Sequence, residues 1–369
     1  MKQDTKDKLT LYMIGHAPDA NYLRRLLAVM KPVIRGIAFV NTDATDDCRK
    51  VVEESGIPSA VRDVRYANRK DFNFSECRNM ALDLAEDVFG GWLIWLDCDD
   101  LPDRPERILD AMKAHPGKDG YALPYDVGPQ QDNIFKTRIH RHQGWRWVRK
   151  VHEELVPEKE RPCITLFKDI VVKHAPDEGK SNHDFHVSLL EQDTKDPNSM
   201  SYLMKEHFNQ NRHREAIKWA HKVIANHPRD FEVYAAHVTA GICHAGLEDM
   251  DAAIDEWQRA IRVMPQRREA HYYIAEVYAG RGYEWMPKAL AYVAACNAQI
   301  DTHMPGQNRN IYACAGYKLH AKILHVMGYQ EEAHQVIHRA KEFDDEAKEI
   351  VREIENRLKK NAIEQRDAA

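Results

Sequence analysis

Residues 216–228 read AIKWAHKVIANHP, and residues 253–265 read AIDEWQRAIRVMP, with alanine, isoleucine and proline at matching places. A looser third copy, ALAYVAACNAQI, spans residues 289–300, so the copies begin 37 and 36 residues apart. The apolar residues recur at helical spacing, and a proline, which cannot continue a helix, ends each of the two clearer copies. A helix that recurs at this period predicts an array of stacked helix pairs.

Toward the N-terminus the period of the apolar pattern changes. From about residue 198 onward only helical spacing is seen, whereas up to about residue 175 short apolar runs alternate with amphipathic helical segments. This alternation predicts βαβ units on a mostly parallel sheet that is covered on both faces. The predicted strands are residues 9–14, 34–41, 60–64 and 92–96, and the predicted helices are residues 21–30, 47–54 and 75–88. We therefore expect an α/β domain over residues 1–195 and an all-α domain over residues 196–369.

The composition is that of a chain with a full core and no membrane segment. Of its 369 residues, 43% are apolar and 30% charged, and no apolar run approaches the roughly 18–20 residues that a membrane-spanning helix needs. The 53 basic and 58 acidic side chains nearly balance, which leaves no global electrostatic footprint for nucleic acid or membrane. Seven cysteines form no C-x-x-C pair, which favours reduced thiols in the cytoplasm.

Three carboxylates crowd the end of the fourth predicted strand. Asp97, Asp99 and Asp100 follow the apolar run WLIWL, and carboxylates this close repel one another unless a cation lies among them. Hard divalent metals such as Mg²⁺ and Mn²⁺ bind one or two protein carboxylates and complete their coordination with phosphate oxygens and water. The turn is a candidate metal site.

Further motifs surround this turn in a fixed order. They are LYMIGH at residues 11–16, VNTDATD at 40–46, FSECRNMA at 74–81, WLIWLDCDD at 92–100, WVRKVHE at 147–153 and IVVKH at 170–174. The set resembles the motifs of inverting family 2 glycosyltransferases, which have the GT-A fold. The helical half resembles a tetratricopeptide-type array, which some members of that family carry.

The resemblance implies a Rossmann-like GT-A domain that transfers a sugar from a nucleoside-diphosphate sugar, with a UDP-sugar expected first, to an acceptor hydroxyl. It implies that Asp99 and His174 hold Mn²⁺ or Mg²⁺, because a fixed cation stabilises the leaving diphosphate. Asn41 and Asp43 stand where the family usually has Asp and Gly, which leaves the donor's identity open. The donor-binding residues implied by the resemblance are Ile14, Gly15, His16, Asn41, Asp43, Arg78 and Asp97, with Asp97 near the ribose.

An inverting transferase needs a general base that deprotonates the acceptor. The resemblance implies Glu153 for this role, and Glu154 and Asp126 remain alternatives. His152 either orients Glu153 or contacts the acceptor.

The run at residues 136–150, KTRIHRHQGWRWVRK, contains no acid. Basic residues interleaved with indoles can hold an anionic acceptor. The acceptor-side candidates are Trp145, Arg146, Trp147, Arg149 and His152. A glycan, a protein or peptide, and a nucleic-acid base all fit as the acceptor. The alternative is that the run forms an ordinary wall of the cleft and does not bind the acceptor.

A non-catalytic function is the alternative to the transferase. Arrays of helix pairs are usually binding modules, so the chain can also be interpreted as a tetratricopeptide-type binding module with a degenerate transferase domain. We expect the helical domain to bind a partner or a second copy of the chain in a homodimer.

Overall fold

A computed structural model of the chain describes residues 8–42, 45–126, 134–175, 183–301, 307–340 and 344–367. The chain divides into two compact units, Met1–Gln192 and Asp193–Ala369; the predicted boundary lies between residues 195 and 196. No helix among the described residues is long and apolar enough to cross a membrane.

The first half of unit 1 is a parallel β/α arrangement. Its strands run in the order β3-β2-β1-β4, and every pair among them is parallel. The strands are β1 (Leu9–Gly15), β2 (Ile34–Asn41), β3 (Ser59–Asp63) and β4 (Trp92–Trp95), and the helices are α1 (Ala20–Met30), α2 (Asp47–Glu54) and α3 (Phe74–Val88). These predicted strands and helices are confirmed, with ends that differ by one residue at most.

The second half of unit 1 turns the sheet into a mixed one. Strand β7 lies between β4 and β6 and is antiparallel to both, and β5 is antiparallel to β11. Strands β10 and β11 pair with β6 in parallel, while β8 and β9 form a separate two-stranded antiparallel sheet. The elements are β5 (Asp100–Pro102), α4 (Arg107–Ala114), β6 (Gly120–Asp126), β7 (Ile134–Arg141), β8 (Trp145–Val148), β9 (Glu154–Pro157), β10 (Ile164–Leu166), β11 (Val172–His174) and α5 (His183–Leu190).

The prediction of a mostly parallel sheet is therefore wrong beyond β4. The reason is β7, whose residues the sequence analysis interpreted only as the start of a basic run. Because β7 enters the sheet antiparallel between two other strands, the order and direction of the sheet depend on a strand that carries no continuous apolar run.

The large sheet of unit 1 is covered on both faces. Successive strand residues point to opposite faces, so Leu11 and Met13 of β1 join one core with α1 and α2, while Tyr12 joins a second core with α3. Burial on both faces fixes the register of β1 against β2 and β4, because a one-residue shift would exchange the two sets of side chains.

The regular secondary structure of unit 2 is entirely helical over its described residues. The quoted repeat copies lie in α7, α9 and α11, which alternate with the other helices, so the array consists of successive antiparallel helix pairs. The helices are α6 (Pro197–Asn209), α7 (His213–Asn226), α8 (Asp230–Gly246), α9 (Met250–Val263), α10 (Glu269–Gly280), α11 (Met286–Ala298), α12 (Gly316–Val326), α13 (Gln330–Ile337) and α14 (Asp345–Asp367).

Close packing joins the helices of each pair. Gly241 of α8 lies against the Trp257 indole of α9, and a Cβ on Gly241 would overlap that ring. The Trp257 Nε1 donates a hydrogen bond to the Val238 carbonyl oxygen at 3.2 Å. At the start of α9, the Asp249 side chain accepts a hydrogen bond from the Ala252 amide, which satisfies one of the free amides of the first turn.

A buried ion pair anchors α10 to its neighbours. The Glu269 carboxylate accepts hydrogen bonds from Arg267 Nη2 at 2.9 Å, from the Tyr234 hydroxyl of α8 at 3.0 Å and from the Asn308 amide at 3.0 Å. Arg267 and Glu269 are 2% and 4% exposed. Each Glu269 oxygen accepts a hydrogen bond, as is usual for a buried charge with a structural role.

Candidate functional site

The acidic turn connects β4 to β5 and is closed by its own hydrogen bonds. The Asp97 amide donates to Asp100 Oδ2 at 2.9 Å, and the Asp100 amide donates to the Asp97 carbonyl oxygen at 3.0 Å. Asp100 is fully buried, whereas the side chains of Asp97 and Asp99 are partly exposed. The turn therefore leaves two carboxylates partly accessible to solvent and buries the third.

His174 lies beside this turn because β11 pairs with β5, with His174 opposite Asp100. Its Nδ1 is 3.7 Å from Asp99 Oδ1 and 3.7 Å from Asp100 Oδ1. The ligand atoms of the three residues all lie within 4.8 Å of one another. The structure thus places the two predicted metal ligands together and adds Asp100, which the sequence analysis did not assign as a ligand.

The electrostatics of these three residues depend on their mutual proximity. Burial raises the pKa of Asp99 above its ordinary value, and the neighbouring Asp97 carboxylate raises it further. The interaction with Asp100 raises the pKa of His174, in opposition to burial. Asp100 Oδ1 is buried and accepts no hydrogen bond from the described residues. Two carboxylates and an imidazole with an unsatisfied buried oxygen fit a divalent cation by donor type.

Arg78 of α3 links Asp97 to Glu153. Its Nη2 is 2.5 Å from Asp97 Oδ1 and its Nε is 2.6 Å from Glu153 Oε1. The guanidinium lies beside the adjoining rings of Trp95 and Trp147, at 5.3 and 4.8 Å from their centroids. Burial lowers the pKa of Arg78, but the two carboxylates outweigh burial and hold that pKa above its ordinary value.

The candidates for a general base differ in their environment. Glu153 is mostly buried, and its carboxylate accepts a hydrogen bond from Arg78. Glu154 begins β9, is 56% exposed and pairs with Arg149 at 2.8 Å. Asp126 ends β6, opposite Lys173 of β11. The structure therefore ties Glu153 to Arg78 and Asp97, whereas Glu154 pairs with Arg149.

Arg138 of β7 is a residue of this site that the sequence analysis missed. It is fully buried, its Nη1 lies 2.9 Å from Asp100 Oδ2, and its guanidinium stacks at 3.8 Å from the Trp95 ring centroid. Its Nε and Nη2 make no hydrogen bond to a described residue. The strand period could have indicated it, because residues 136, 138 and 140 share one face of β7.

Four of the predicted donor-binding residues, Ile14, Gly15, His16 and Asn41, lie at the ends of β1 and β2. Ile14 and Gly15 end β1, and the His16 side chain is 2.5 Å from Asp19 Oδ2. The side-chain nitrogen Nδ2 of the buried Asn41 donates hydrogen bonds to the Thr45 carbonyl oxygen at 3.1 Å and to Asp63 Oδ1 at 3.0 Å. Its donor capacity is therefore used within the fold. Asp43 lies outside the described residues.

The predicted acceptor-side residues do not form an open aromatic surface. Trp145 and Trp147 are each 4% exposed, because alternate residues of β8 face the protein. Arg146 pairs with Asp83 at 3.0 Å, and Arg149 pairs with Glu154. His152 has a positive φ of 52° and its ring lies 5.5 Å from that of His186. The two indoles are therefore covered by the protein, and the acceptor roles of these five residues stay a prediction.

No family model and no curated protein sequence matches the chain. Similar solved structures are helical-repeat proteins. The chain is 20% identical to TTC0263, a tetratricopeptide protein of Thermus thermophilus, over 48% of this chain and 90% of that one, with a TM-score of 0.32. It is 17% identical to YrrB, described as a tetratricopeptide protein with an unusual peptide-binding site, over 49% and 81% of the two chains, with a TM-score of 0.32. It is 18% identical to MamA, over 46% and 80%, with a TM-score of 0.33.

The identification as a family 2 glycosyltransferase is wrong. No model of that family matches the chain, and the similar solved structures are tetratricopeptide proteins. The GT-A fold class and the transferase activity are corrected with it, and the nucleotide-sugar donor loses its support. The motifs behind the resemblance are mainly polar residues at strand ends, and these are common in α/β sheets because the strand ends are where the chain turns.

Proposed function

We propose that the chain is a binding module whose helical unit, residues 193–369, binds a partner protein. The repeat array carries this proposal. Equivalent helix pairs that follow one another expose the same positions side by side, which gives an extended surface for a partner chain. The seven cysteines are free, which supports a reducing compartment such as the cytoplasm.

The charges buried inside unit 2 support a binding function over a chemical one. The Glu269 carboxylate is occupied by Arg267, Tyr234 and the Asn308 amide. The Glu256 carboxylate of α9 is 2.7 Å from His237 Nδ1 of α8. These buried charged groups are therefore used within the fold, as in a structural network.

Hydrogen exchange of the full chain with a panel of peptides tests this proposal. The peptides are basic amphipathic, acidic amphipathic and polyproline sequences of about 20 residues. We expect at least one peptide to slow exchange within residues 193–369 while exchange in residues 8–192 is unchanged. Slowed exchange confined to unit 1, or no effect of any peptide, would contradict it.

Unit 1 supports a second candidate function, the binding of a divalent cation by Asp99, Asp100 and His174. The observation in its favour is the fully buried Asp100 oxygen that accepts no hydrogen bond from described residues, next to two further ligand atoms. A bound cation would neutralise the Asp99 and Asp100 charges. Isothermal titration with MnCl₂ tests it: we expect one site per chain, weakened at least tenfold in Asp99→Asn. Asp103→Asn, at an exposed carboxylate beyond β5, is the matched control.

A further inference from the structure

Three turns of unit 2 expose large apolar side chains. Each turn connects the first helix of a pair to the second, and together they comprise residues 247–251, 281–286 and 326–332, which we name the turn edge. The exposed residues are Leu247 (41%), Met250 (38%), Tyr283 (67%), Val326 (51%) and Tyr329 (49%). Elsewhere in the described part of unit 2, only Ile300 and Ile363 are large, apolar and exposed.

The three turns lie along one side of the array. Arg281 of the second turn is 2.5 Å from Asp251 of the first, which joins the two directly. The third turn follows α12, and α12 packs against both α10 and α11. Since equivalent turns of a repeat array share one edge, the exposed side chains of the turn edge form a row.

The turn edge is also acidic. Its residues include six carboxylates and one basic side chain, in a chain whose net charge is only −5. The single base, Arg281, already pairs with Asp251. The corresponding turn between α6 and α7, residues 209–212, reads NQNR and has neither a carboxylate nor a large apolar residue. The combination of exposed apolar and acidic side chains is therefore found in the turns of the pairs α8–α9, α10–α11 and α12–α13, and not in the turn of α6–α7.

Helix capping explains part of the acidity and none of the apolar exposure. Asp249 caps α9, and carboxylates in a first helical turn interact favourably with the helix dipole. In contrast, Leu247 and Tyr329 occupy the C-cap of α8 and the N-cap of α13 through their backbones, without a cap hydrogen bond from their side chains. The side chains of Leu247, Tyr283 and Tyr329 are 41%, 67% and 49% exposed. Rows of exposed apolar residues among charges mark interaction surfaces.

We infer that the turn edge binds a basic amphipathic helix of a partner protein. The apolar face of that helix would cover Leu247, Tyr283 and Tyr329, and its Lys and Arg side chains would face the surrounding carboxylates, chiefly Glu248, Glu284 and Glu332. Charge complementarity selects this occupant, because an acidic segment would be repelled. The inference rests on the proposed binding function of unit 2 and names its surface and partner chemistry.

Fluorescence anisotropy with the full chain tests the inference. The probe is a labelled 20-residue peptide of Lys and Leu with Leu at helical spacing. A peptide with Glu in place of Lys and a peptide with the Lys and Leu order scrambled are the comparisons. We expect the first peptide alone to bind, with affinity that falls as salt is raised. The double variant Tyr283→Ser/Tyr329→Ser should weaken binding at least tenfold, while Asn209→Ser, at the α6–α7 turn, leaves it unchanged.

The charges are tested separately. The triple variant Glu248→Gln/Glu284→Gln/Glu332→Gln should flatten the salt dependence, and the circular dichroism spectrum verifies that the variants fold. Equal binding of the acidic or scrambled peptide, or unchanged affinity in the tyrosine variant, would overturn the inference. A dimer in sedimentation that the tyrosine variant abolishes would assign the turn edge to a second copy and would overturn it as well.

Hydrogen exchange separates this inference from the proposed function. Slowed exchange at residues 247–251, 281–286 and 326–332 on addition of the Lys-Leu peptide supports the inference. Slowed exchange in α6, α8, α10 and α12 without effect on these turns refutes the inference and leaves the proposed function standing. No response anywhere in unit 2 to any peptide of the panel refutes both.

Discussion

Two buried arginine–carboxylate pairs, one in each unit, differ in how completely they are hydrogen-bonded. In unit 2, Glu269 accepts hydrogen bonds from Arg267, Tyr234 and the Asn308 amide. In unit 1, Arg138 Nη1 lies 2.9 Å from Asp100 Oδ2 and both residues are fully buried, yet Arg138 Nε, Arg138 Nη2 and Asp100 Oδ1 make no hydrogen bond to described residues. A satisfied buried network holds a fold together, whereas unsatisfied atoms can bind a further group.

The largest expected effect comes from breaking the satisfied pair. Glu269→Ala leaves Arg267 buried without its counter-charge, so the free energy of unfolding of unit 2 should fall by about 3–5 kcal/mol. Hydrogen exchange of α8 and α10 in a urea series measures it. The control is Glu284→Ala at an exposed carboxylate, which should change stability by less than about 0.5 kcal/mol. A loss below about 1 kcal/mol at Glu269 would mean that the network contributes little.

The unsatisfied pair should respond to a cation instead. If Asp99, Asp100 and His174 bind Mn²⁺, a concentration of about 100 times the dissociation constant should stabilise unit 1 by about 2.7 kcal/mol. Hydrogen exchange of β4 and β11 with and without MnCl₂ measures this, and unit 2 serves as the internal control. Asp99→Asn should remove most of the effect. Equal stabilisation of both units by Mn²⁺ would contradict a specific site.

Local sequence patterns predicted the parallel half of unit 1 well. Strands β1, β2 and β4 are apolar runs buried on both faces, and α1, α2 and α3 have apolar residues at helical spacing, so each element is determined by its own residues. Strand β7 has a mixed polar pattern because it contributes Arg138 and His140 to the interior. Its place between β4 and β6 depends on pairings distant in sequence, which a local pattern does not contain.

The candidate site was predictable only where its residues are close in sequence. Asp97, Asp99 and Asp100 stand together in the chain, so their crowding is evident from the sequence alone. Arg138 meets Asp100 only because β7 pairs with β4, the strand that precedes the acidic turn. Likewise, the charge of Glu153 is bound by Arg78, which is 75 residues away. Long-range ion pairs of this kind determine which carboxylates stay available, and they appear only in the fold.

A further buried pair, Glu256 and His237 of unit 2, extends the comparison to a test by pH. Burial raises the pKa of Glu256, but His237, together with His221 and Arg259, outweighs burial, and the pKa lies below its ordinary value of 4.5. A carboxyl whose pKa is lower in the folded state stabilises the fold above pH 4.5, and this contribution is lost as the pH falls through the lower pKa.

We expect unit 2 to lose stability below about pH 4.5, and His237→Asn to begin that loss at higher pH with a cost of about 1.5 kcal/mol at about pH 6. Circular dichroism in the far ultraviolet during acid titration of both proteins measures the difference. His244→Asn, at a histidine 3.9 Å from the exposed Asp249, is the matched control. Superimposable titrations of wild type and His237→Asn would show that the pair does not lower the Glu256 pKa.

The smallest effect is expected for an exposed pair in the basic run. Arg146 Nη1 is 3.0 Å from Asp83 Oδ1, and both side chains are about half exposed, so water and salt screen their attraction. A double-mutant cycle of Arg146→Gln and Asp83→Asn should give a coupling below about 0.5 kcal/mol. A coupling above about 1 kcal/mol would contradict this expectation, because it would be larger than is usual for an exposed ion pair. A small coupling would mean that Asp83 holds Arg146 only weakly. The solvent exposure of Arg146, and not its place in a basic run, would then explain why it contributes little to the stability of the fold.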